Sequence, residues 1–276
     1  MDHLSDWRLL YSRLLTSNLG IVDSENKILK AFEEVPREKF VGSGPWKIFT
    51  NAGYVETPTD APEFIYQDVT IALDASDGIN NGQPSLHAAC LMVLGIKSGE
   101  RILHIGSGSG YYTALLSKLT GPTGRVSAFE IIEALAERAK NNLSDFENVE
   151  VFHRSGTLVP MPKADVIYVN AGATEPMRVW LDALEIGGRL LFPLTPAQGV
   201  GGMLLVTRKS NDVFSARFIA PAMFIPCLGA RDEDTGSKLT VAFRNGDWLD
   251  VRSLRIDTHP DDTAWVSGSN WWLSKE

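Results

Sequence analysis

Residues 101–110, Arg-Ile-Leu-His-Ile-Gly-Ser-Gly-Ser-Gly, run from an apolar strand straight into three glycines at alternate positions, and the helix-compatible stretch Tyr111–Leu119 follows. No other part of the chain constrains the fold as much. Glycine adopts positive φ without strain, and the missing Cβ lets a ligand come close to the backbone. The helix that follows turns unpaired N–H groups toward the same space. A strand, glycine loop and helix in this order belong in an α/β sheet and hold a nucleotide-like molecule.

The spacing ranks the ligands. A dinucleotide fingerprint needs its third glycine at position 111, which is Tyr111. That argues against NAD. Twenty residues after Gly110, the strand-like run Arg125-Val-Ser-Ala-Phe ends in Glu130, placed where an acidic side chain accepts hydrogen bonds from ribose hydroxyls. The loop with Glu130 predicts an adenosine-bearing cofactor without a pyrophosphate, and S-adenosylmethionine is the leading candidate.

From 101 to about 206 strands and helices alternate: strands at 101–105, 125–130, 149–153, 164–170, 188–193 and 203–207, helices at 111–119, 132–143 and 175–184. This pattern predicts a doubly wound parallel sheet. Ligands of such sheets bind beyond the carboxyl ends of the strands, where Gly106, Glu130, Ser155 and Asn170 all fall. Ahead of the sheet, residues 4–35 read as two helices, the first with Leu4, Trp7, Leu10 and Leu14 on one face, the second from Ser24 to Val35 and stopped by Pro36. Phe64 to Leu73 shows partial apolar alternation, a polar loop runs from Asp74 to Gln83, and a helix is expected to start at Pro84. The tail has strand-like pieces around Val213–Ile219, Leu239–Phe243 and Val251–Ile256; its Trp248, Trp265, Trp271 and Trp272 are expected to pack the extension onto the core.

Composition excludes several classes. With a net charge of −8 and no Lys/Arg cluster, the chain is not expected to bind nucleic acid or an anionic membrane. The start lacks a basic and apolar leader and the longest apolar run, Ala88 to Ile96, is too short for a bilayer, so a cytoplasmic protein is expected. Cys90 and Cys227 have no metal-ligand spacing and read as buried thiols; no metal is expected.

Several segments together resemble protein-L-isoaspartate O-methyltransferases: Val35-Pro-Arg-Glu-Lys-Phe-Val, Gln83-Pro84, Ile102 to Tyr111, Glu130-Ile131, Val166-Ile-Tyr-Val-Asn-Ala-Gly-Ala and Gly187-Gly-Arg-Leu-Leu-Phe-Pro. Order and spacing match over about residues 25–195. The resemblance implies a Rossmann-like, seven-stranded class I methyltransferase sheet that moves the methyl group of S-adenosylmethionine to a carboxylate, an isoaspartyl one in the family. It implies a helical cap and active-site loop over 1–84, a cofactor-binding core over 85–220 and a C-terminal extension over 221–276. Cofactor contacts are implied for His104, Gly106, Ser107, Gly108, Gly110, Glu130, Ile131, Ser155, Gly156 and Asn170, and acceptor positioning for Asn80, Asn81, Gly82 and Gln83.

Three departures fall at ligand-facing positions. The family carries Thr-Ile-Ser before Gln-Pro, with the serine in the active site; here these are Asn80, Asn81 and Gly82. The acidic residue of the glycine-motif strand is His104, and the Asp of the turn that faces adenine is Ser155. A carboxylate acceptor is already ionised at neutral pH, so its attack on a methyl carbon needs alignment and not a general base. Loss of the serine therefore weakens positioning, and the Asn80 or Asn81 amides or the Gly82 N–H are candidate donors in its place. Were the acceptor an alcohol or amine, His87, Asp74, Asp77 and His104 would be the nearby bases; His104 reads as a core histidine, and His87 as either a solvated or a pocket residue. The resemblance implies a peptide, protein or small-molecule carboxylate as the acceptor. A carboxyl methyltransferase for a peptide natural product and a non-catalytic S-adenosylmethionine-binding protein stand as alternatives.

Overall fold

The structure, a computed structural model, describes residues 3–21 and 23–276. The chain forms two compact units, one of Met1–Glu100 and Ser107–His153, the other of Arg101–Gly106 and Arg154–Glu276. The first opens with α1 (His3–Ser17), α2 (Lys27–Glu34) and α3 (Glu38–Val41). The hairpin β1 (Lys47–Thr50) and β2 (Gly53–Glu56), the short pair β3 (Ala72–Asp74) and β4 (Ile79–Asn80), and α4 (Pro84–Leu94) follow. After β5 (Arg101–Ile105) in the second unit, the chain returns for α5 (Tyr111–Thr120), β6 (Arg125–Glu130), α6 (Glu133–Asn142) and β7 (Val149–His153).

Local chemistry explains where these elements begin. The Asn26 side chain accepts from the Ile28 N–H at 2.9 Å and so caps α2, which starts at Lys27 and not at Ser24. Pro84 opens α4 as expected, and Gly95 in the left-handed region closes it. The apolar face read for α1 is corrected: Trp7, Leu10 and Leu14 are exposed, and Tyr11 and Leu15 are the buried pair. Tyr11 meets Phe32 at 6.0 Å and Tyr66 at 5.6 Å between ring centroids, and this aromatic seat turns the helix by about one residue from the leucine stripe. Phe64 to Leu73 is not one strand. A 3-10 turn occupies Pro62–Phe64, and only its end joins β3.

The second unit continues with β8 (Ala164–Val169), α7 (Arg178–Ala183), β9 (Leu184–Leu194), β10 (Gly201–Arg208), β11 (Phe214–Ala222), α8 (Glu233–Asn245), β12 (Ser253–Arg255), β13 (Ala264–Ser267) and β14 (Trp272–Ser274). Its strands lie in the order β13-β14-β12-β11-β10-β9-β8-β5. β5, β8 and β9 are parallel, with His104 opposite Tyr168, and Val166, Ile167, Tyr168, Leu190, Leu191 and Phe192 are all fully buried, as parallel strands covered on both faces require. The parallel run ends at β9. Residues 195–200 are too few for a crossover, so β10 returns antiparallel, and β11 pairs antiparallel in turn. In the first unit β6 and β7 are parallel, with Glu130 opposite His153.

Two further expectations change. The helix expected from 175 begins at Arg178, because Pro176 keeps the residue before it out of the helical region. Leu239–Phe243 lies within α8 and not in a strand: the Asp232 carboxylate accepts from the Thr235 N–H at 2.8 Å, and this cap with the buried Thr235, Leu239 and Ala242 imposes the helical period on a β-prone run. Trp248 and Trp265 pack edge-on against Phe218 of β11, with centroids 5.3 and 5.4 Å away, and Trp271 and Trp272 are buried. Among the described residues, no helix is long and apolar enough to cross a membrane.

Candidate active site

In the first unit the glycine loop is clasped by the carboxylate that follows it. Gly108 and Gly110 have φ of +55° and +96°, and a Cβ on Gly110 would lie 2.7 Å from Leu143 Cδ1. The Ser107 N–H donates to the Phe129 carbonyl at 3.2 Å, tying the loop to the end of β6. One residue on, Glu130 is buried; its Oε2 accepts from the Gly108 N–H at 2.7 Å and its Oε1 from the Ile132 N–H at 3.0 Å. Each carboxylate oxygen keeps a lone pair for a hydroxyl donor. Burial pushes the Glu130 carboxyl up, and these backbone donors work against that shift. Ile131 is exposed beside it. The Ser107 hydroxyl is buried without a hydrogen-bond partner.

In the second unit β5 ends at Gly106, whose φ is +74° and whose missing Cβ leaves room 3.4 Å from the Asn170 carbonyl. The Asn170 N–H donates to the Ile105 carbonyl at 2.8 Å, and its side-chain amide pairs with His104 Nε2 at 2.8 Å. Asn170 Oδ1 is buried and without a partner. Ser155 Oγ pairs with Thr157 Oγ1 at 2.8 Å, while the Gly156 carbonyl accepts from the Trp180 indole at 2.8 Å. A Cβ on Gly156 would lie 2.5 Å from Ile105 Cγ2, so only glycine lets this turn sit against the end of β5.

His104 is the core histidine its strand position predicts. It is fully buried, stacks on Tyr168 with centroids 5.7 Å apart, and burial pushes its pKa down to about 3. It stays neutral at physiological pH and cannot supply the negative charge of the family's acidic residue. The unfolded chain takes up a proton near pH 6.5 where the fold does not, so stability falls as the pH drops below that value. This group alone is expected to remove about 1.4 kcal/mol by roughly pH 5.5. Urea midpoints of the wild type and His104→Gln between about pH 7 and 5.5 check it: the variant's dependence should be flatter, and parallel curves would refute the assignment.

The acceptor loop, also in the first unit, uses much of its polarity internally. Asn80 Oδ1 accepts from the Gly82 N–H at 3.0 Å, and its amide reaches the Gly78 carbonyl at 3.2 Å. Asn81 is buried, accepts from the Ile71 N–H at 2.9 Å, and leaves its Nδ2 buried without a partner. The Gln83 amide donates to Asp68 Oδ2 at 2.9 Å, and Asp68 Oδ1 accepts from the Ser85 N–H at 2.8 Å. Asp68 thus holds the start of α4, a role no motif announced. Arg37 lies in the Val35-Pro-Arg-Glu-Lys-Phe-Val segment, but its role was not read from the sequence. Fully buried, its guanidinium donates to the Ile65, Gln67 and Val69 carbonyls. His87 is a buried residue, one turn into α4, stacked on Tyr112 at 3.6 Å.

An α/β sheet whose strand runs into a glycine loop, with a buried carboxylate at the end of the next strand clasping that loop, defines a Rossmann-like class I methyltransferase. Residues 13–232 match the family described as Protein-L-isoaspartate(D-aspartate) O-methyltransferase (PCMT). Protein-L-isoaspartate O-methyltransferase 1 of Archaeoglobus fulgidus is 34% identical over 233 residues, 83% of this chain and 96% of its own. Protein-L-isoaspartate O-methyltransferase 2 of Pelobacter propionicus is 32% identical over 207 residues, 74% of this chain and 83% of its own. A solved protein-L-isoaspartate O-methyltransferase superposes with a TM-score of 0.68 over 97% of this chain and 87% of its own, at 23% identity. A Plasmodium falciparum protein ascribed the same activity and crystallised with S-adenosyl-L-homocysteine gives 0.64 over 80% of this chain and 97% of its own, at 19% identity. These two superpositions speak to the fold. The chain belongs to the protein-L-isoaspartate(D-aspartate) O-methyltransferase family. It is an S-adenosylmethionine-dependent methyltransferase with a protein or peptide acceptor.

Proposed function

We propose that this chain methylates the free carboxylate of an isoaspartyl residue in a protein or peptide. The observation that carries the reading is the family match over residues 13–232, which includes both the glycine loop and the Gln83-Pro84 element. S-adenosylmethionine, when bound, supplies a methyl carbon activated by its sulfonium. In the first unit, Gly108 and Gly110 would leave room for it, Glu130 would accept from its ribose hydroxyls, and Ser107 Oγ is a buried atom it would complete. In the second unit, the residues the family resemblance gives to it are Gly106, Ser155 and Gly156 on the adenine side, and Asn170, whose Oδ1 is buried and without a partner. The fit is therefore in the donor and acceptor set as well as in the space.

On the acceptor side, Asn81 Nδ2 is the buried donor left over after the loop has closed on itself. It is the group we assign to the incoming carboxylate, with Asn80 shaping the turn at Gly82 and Gln83 fixing it to Asp68. The carboxylate needs no base, because it is ionised well below neutral pH. What the chain must do is hold the oxygen in line with the carbon–sulfur bond, and proximity of this kind lowers a barrier by several kcal/mol, up to about 7–11 in the best cases. The net charge of −8 disfavours a nucleic-acid acceptor. Two buried cysteines suit a reducing cytoplasm.

Methyl transfer from labelled S-adenosylmethionine to a short isoaspartyl peptide, with the normal aspartyl peptide as control, tests the reading. Label on the isoaspartyl peptide alone is expected. Silence on both, with cofactor binding intact, overturns it.

A further inference from the structure

The apolar stripe of α1 lies on the outside of the protein. Trp7, Leu10 and Leu14 are 38, 47 and 56% exposed. The helix is seated by its other side: Tyr11, Ser12, Leu15 and Thr16 are buried, and α1 packs on α2 and α4. Three large apolar side chains in line on one helix exceed the scattered exposure of an ordinary surface and mark a contact face. Trp7 and Leu10 also lie ahead of the family match over residues 13–232, which sets the stripe apart from the shared core. Charge decides what this face fits. At 3.6 residues per turn, Leu14 and Trp7 lie on one flank of Leu10, about 40° and 60° round the helix, and Asp6 and Arg13 lie at about the same angles on the other flank. Both charged residues are exposed.

We propose that this face of α1 binds the same face of a second copy of the chain, the two helices running antiparallel about a two-fold axis at Leu10. Leu10 then meets the partner's Leu10. A two-fold axis perpendicular to both helices keeps each flank on its own side, so Asp6 meets the partner's Arg13 and Arg13 the partner's Asp6, offset by one residue or about 1.5 Å. On the other flank Trp7 covers the partner's Leu14, and tryptophan is among the side chains that anchor interfaces most strongly. A parallel pairing would turn the flanks over and lay both charges against the partner's Trp7 and Leu14. The pattern is thus complementary to itself in one orientation. A membrane surface fits it poorly, because an interfacial helix carries Lys and Arg along its polar side, whereas here one acid offsets one base. The 15 residues of α1 make a contact about 22 Å long, short of a standard interface, so the dimer belongs in the weak class with a Kd on the order of 10 μM.

Sedimentation equilibrium of the full chain between about 1 and 200 μM tests this. The wild type is expected to pass from monomer to dimer across that range. Leu10→Glu, which brings two carboxylates together on the axis, should abolish the dimer. Asp6→Arg and Arg13→Asp should each weaken it about tenfold, because each turns two attractions into two repulsions. The double exchange Asp6→Arg/Arg13→Asp should restore it, and an equimolar mixture of the two single variants should form a mixed dimer. Circular dichroism checks that each variant keeps the wild-type fold. A wild type that stays monomeric throughout, a dimer that survives Leu10→Glu, or single exchanges whose loss the double exchange does not recover each overturns the inference. The result is read from mass alone, so it stands or falls apart from the methylation of the isoaspartyl peptide.

Discussion

Glu130→Ala is expected to weaken S-adenosylmethionine binding by about 1–3 kcal/mol, roughly one to two powers of ten in Kd. Two losses combine in it. The carboxylate is the acceptor we assign to the ribose hydroxyls, and it also receives the Gly108 and Ile132 N–H groups, so its removal frees the loop it orders. Glu130→Gln separates the two only in part, because its amide NH2 must face one of those N–H donors. It should therefore resemble alanine more than wild type. Calorimetric titration with S-adenosylmethionine and with S-adenosyl-L-homocysteine measures the effect directly. Because both ligands carry the same ribose, both constants should rise by the same factor. An unchanged Kd for either would remove Glu130 from the cofactor site, and a change for S-adenosylmethionine alone would point to the methionine end and not the sugar.

How much of this was legible in the sequence follows from the range of the interactions. The glycine loop, Glu130 and the strands β5 to β8 are encoded by residue type within short windows, and their positions read out nearly to the residue, whereas β9 begins at Leu184, four residues before the expected start at 188. Where a cap or a proline decides, as at Asn26, Pro176 and Asp232, the signals were present in the sequence but were outweighed by apolar periodicity. The buried face of α1 was not legible, because Tyr11 was drawn inward by Phe32 and Tyr66 and the leucine stripe was left outside. The acceptor loop illustrates a different limit. That Asn80 and Asn81 carry donors is visible from their type, but which donor remains after the loop has satisfied itself depends on Ile71 and Gly78, and only coordinates show it.

Arg37→Met is expected to cost about 3 kcal/mol of stability, because the carbonyls that lose its guanidinium are buried or partly buried and each unmade hydrogen bond carries about 1–3 kcal/mol. The guanidinium donates to Ile65, Gln67 and Val69 at 2.5, 2.8 and 2.6 Å, partners 28 to 32 residues downstream. It lies 5.5 Å over the Tyr11 ring and 6.0 Å over Tyr111, which adds attraction for the cation. Its backbone N–H reaches the Tyr66 hydroxyl at 3.2 Å, and Tyr66 in turn donates to Glu38. The segment held in this way leads into Ile71, whose N–H and carbonyl are both engaged by Asn81. Arg37 is thus the pin from which the acceptor loop hangs, although it has no part in the chemistry. Against a typical total stability of about 5–15 kcal/mol, such a loss is large. Arg37→Lys should recover little of it, since one ammonium cannot serve three carbonyls in the plane of a guanidinium. Urea denaturation followed by circular dichroism gives the stability. At a temperature where the variant remains folded, KM for the isoaspartyl peptide should rise while Kd for S-adenosyl-L-homocysteine holds. A wild-type unfolding midpoint in Arg37→Met would mean that the three carbonyls find water at no cost, and the pin would then be no more than a packing contact. A normal midpoint in Arg37→Lys alone would mean instead that charge, and not the planar fork, holds the segment.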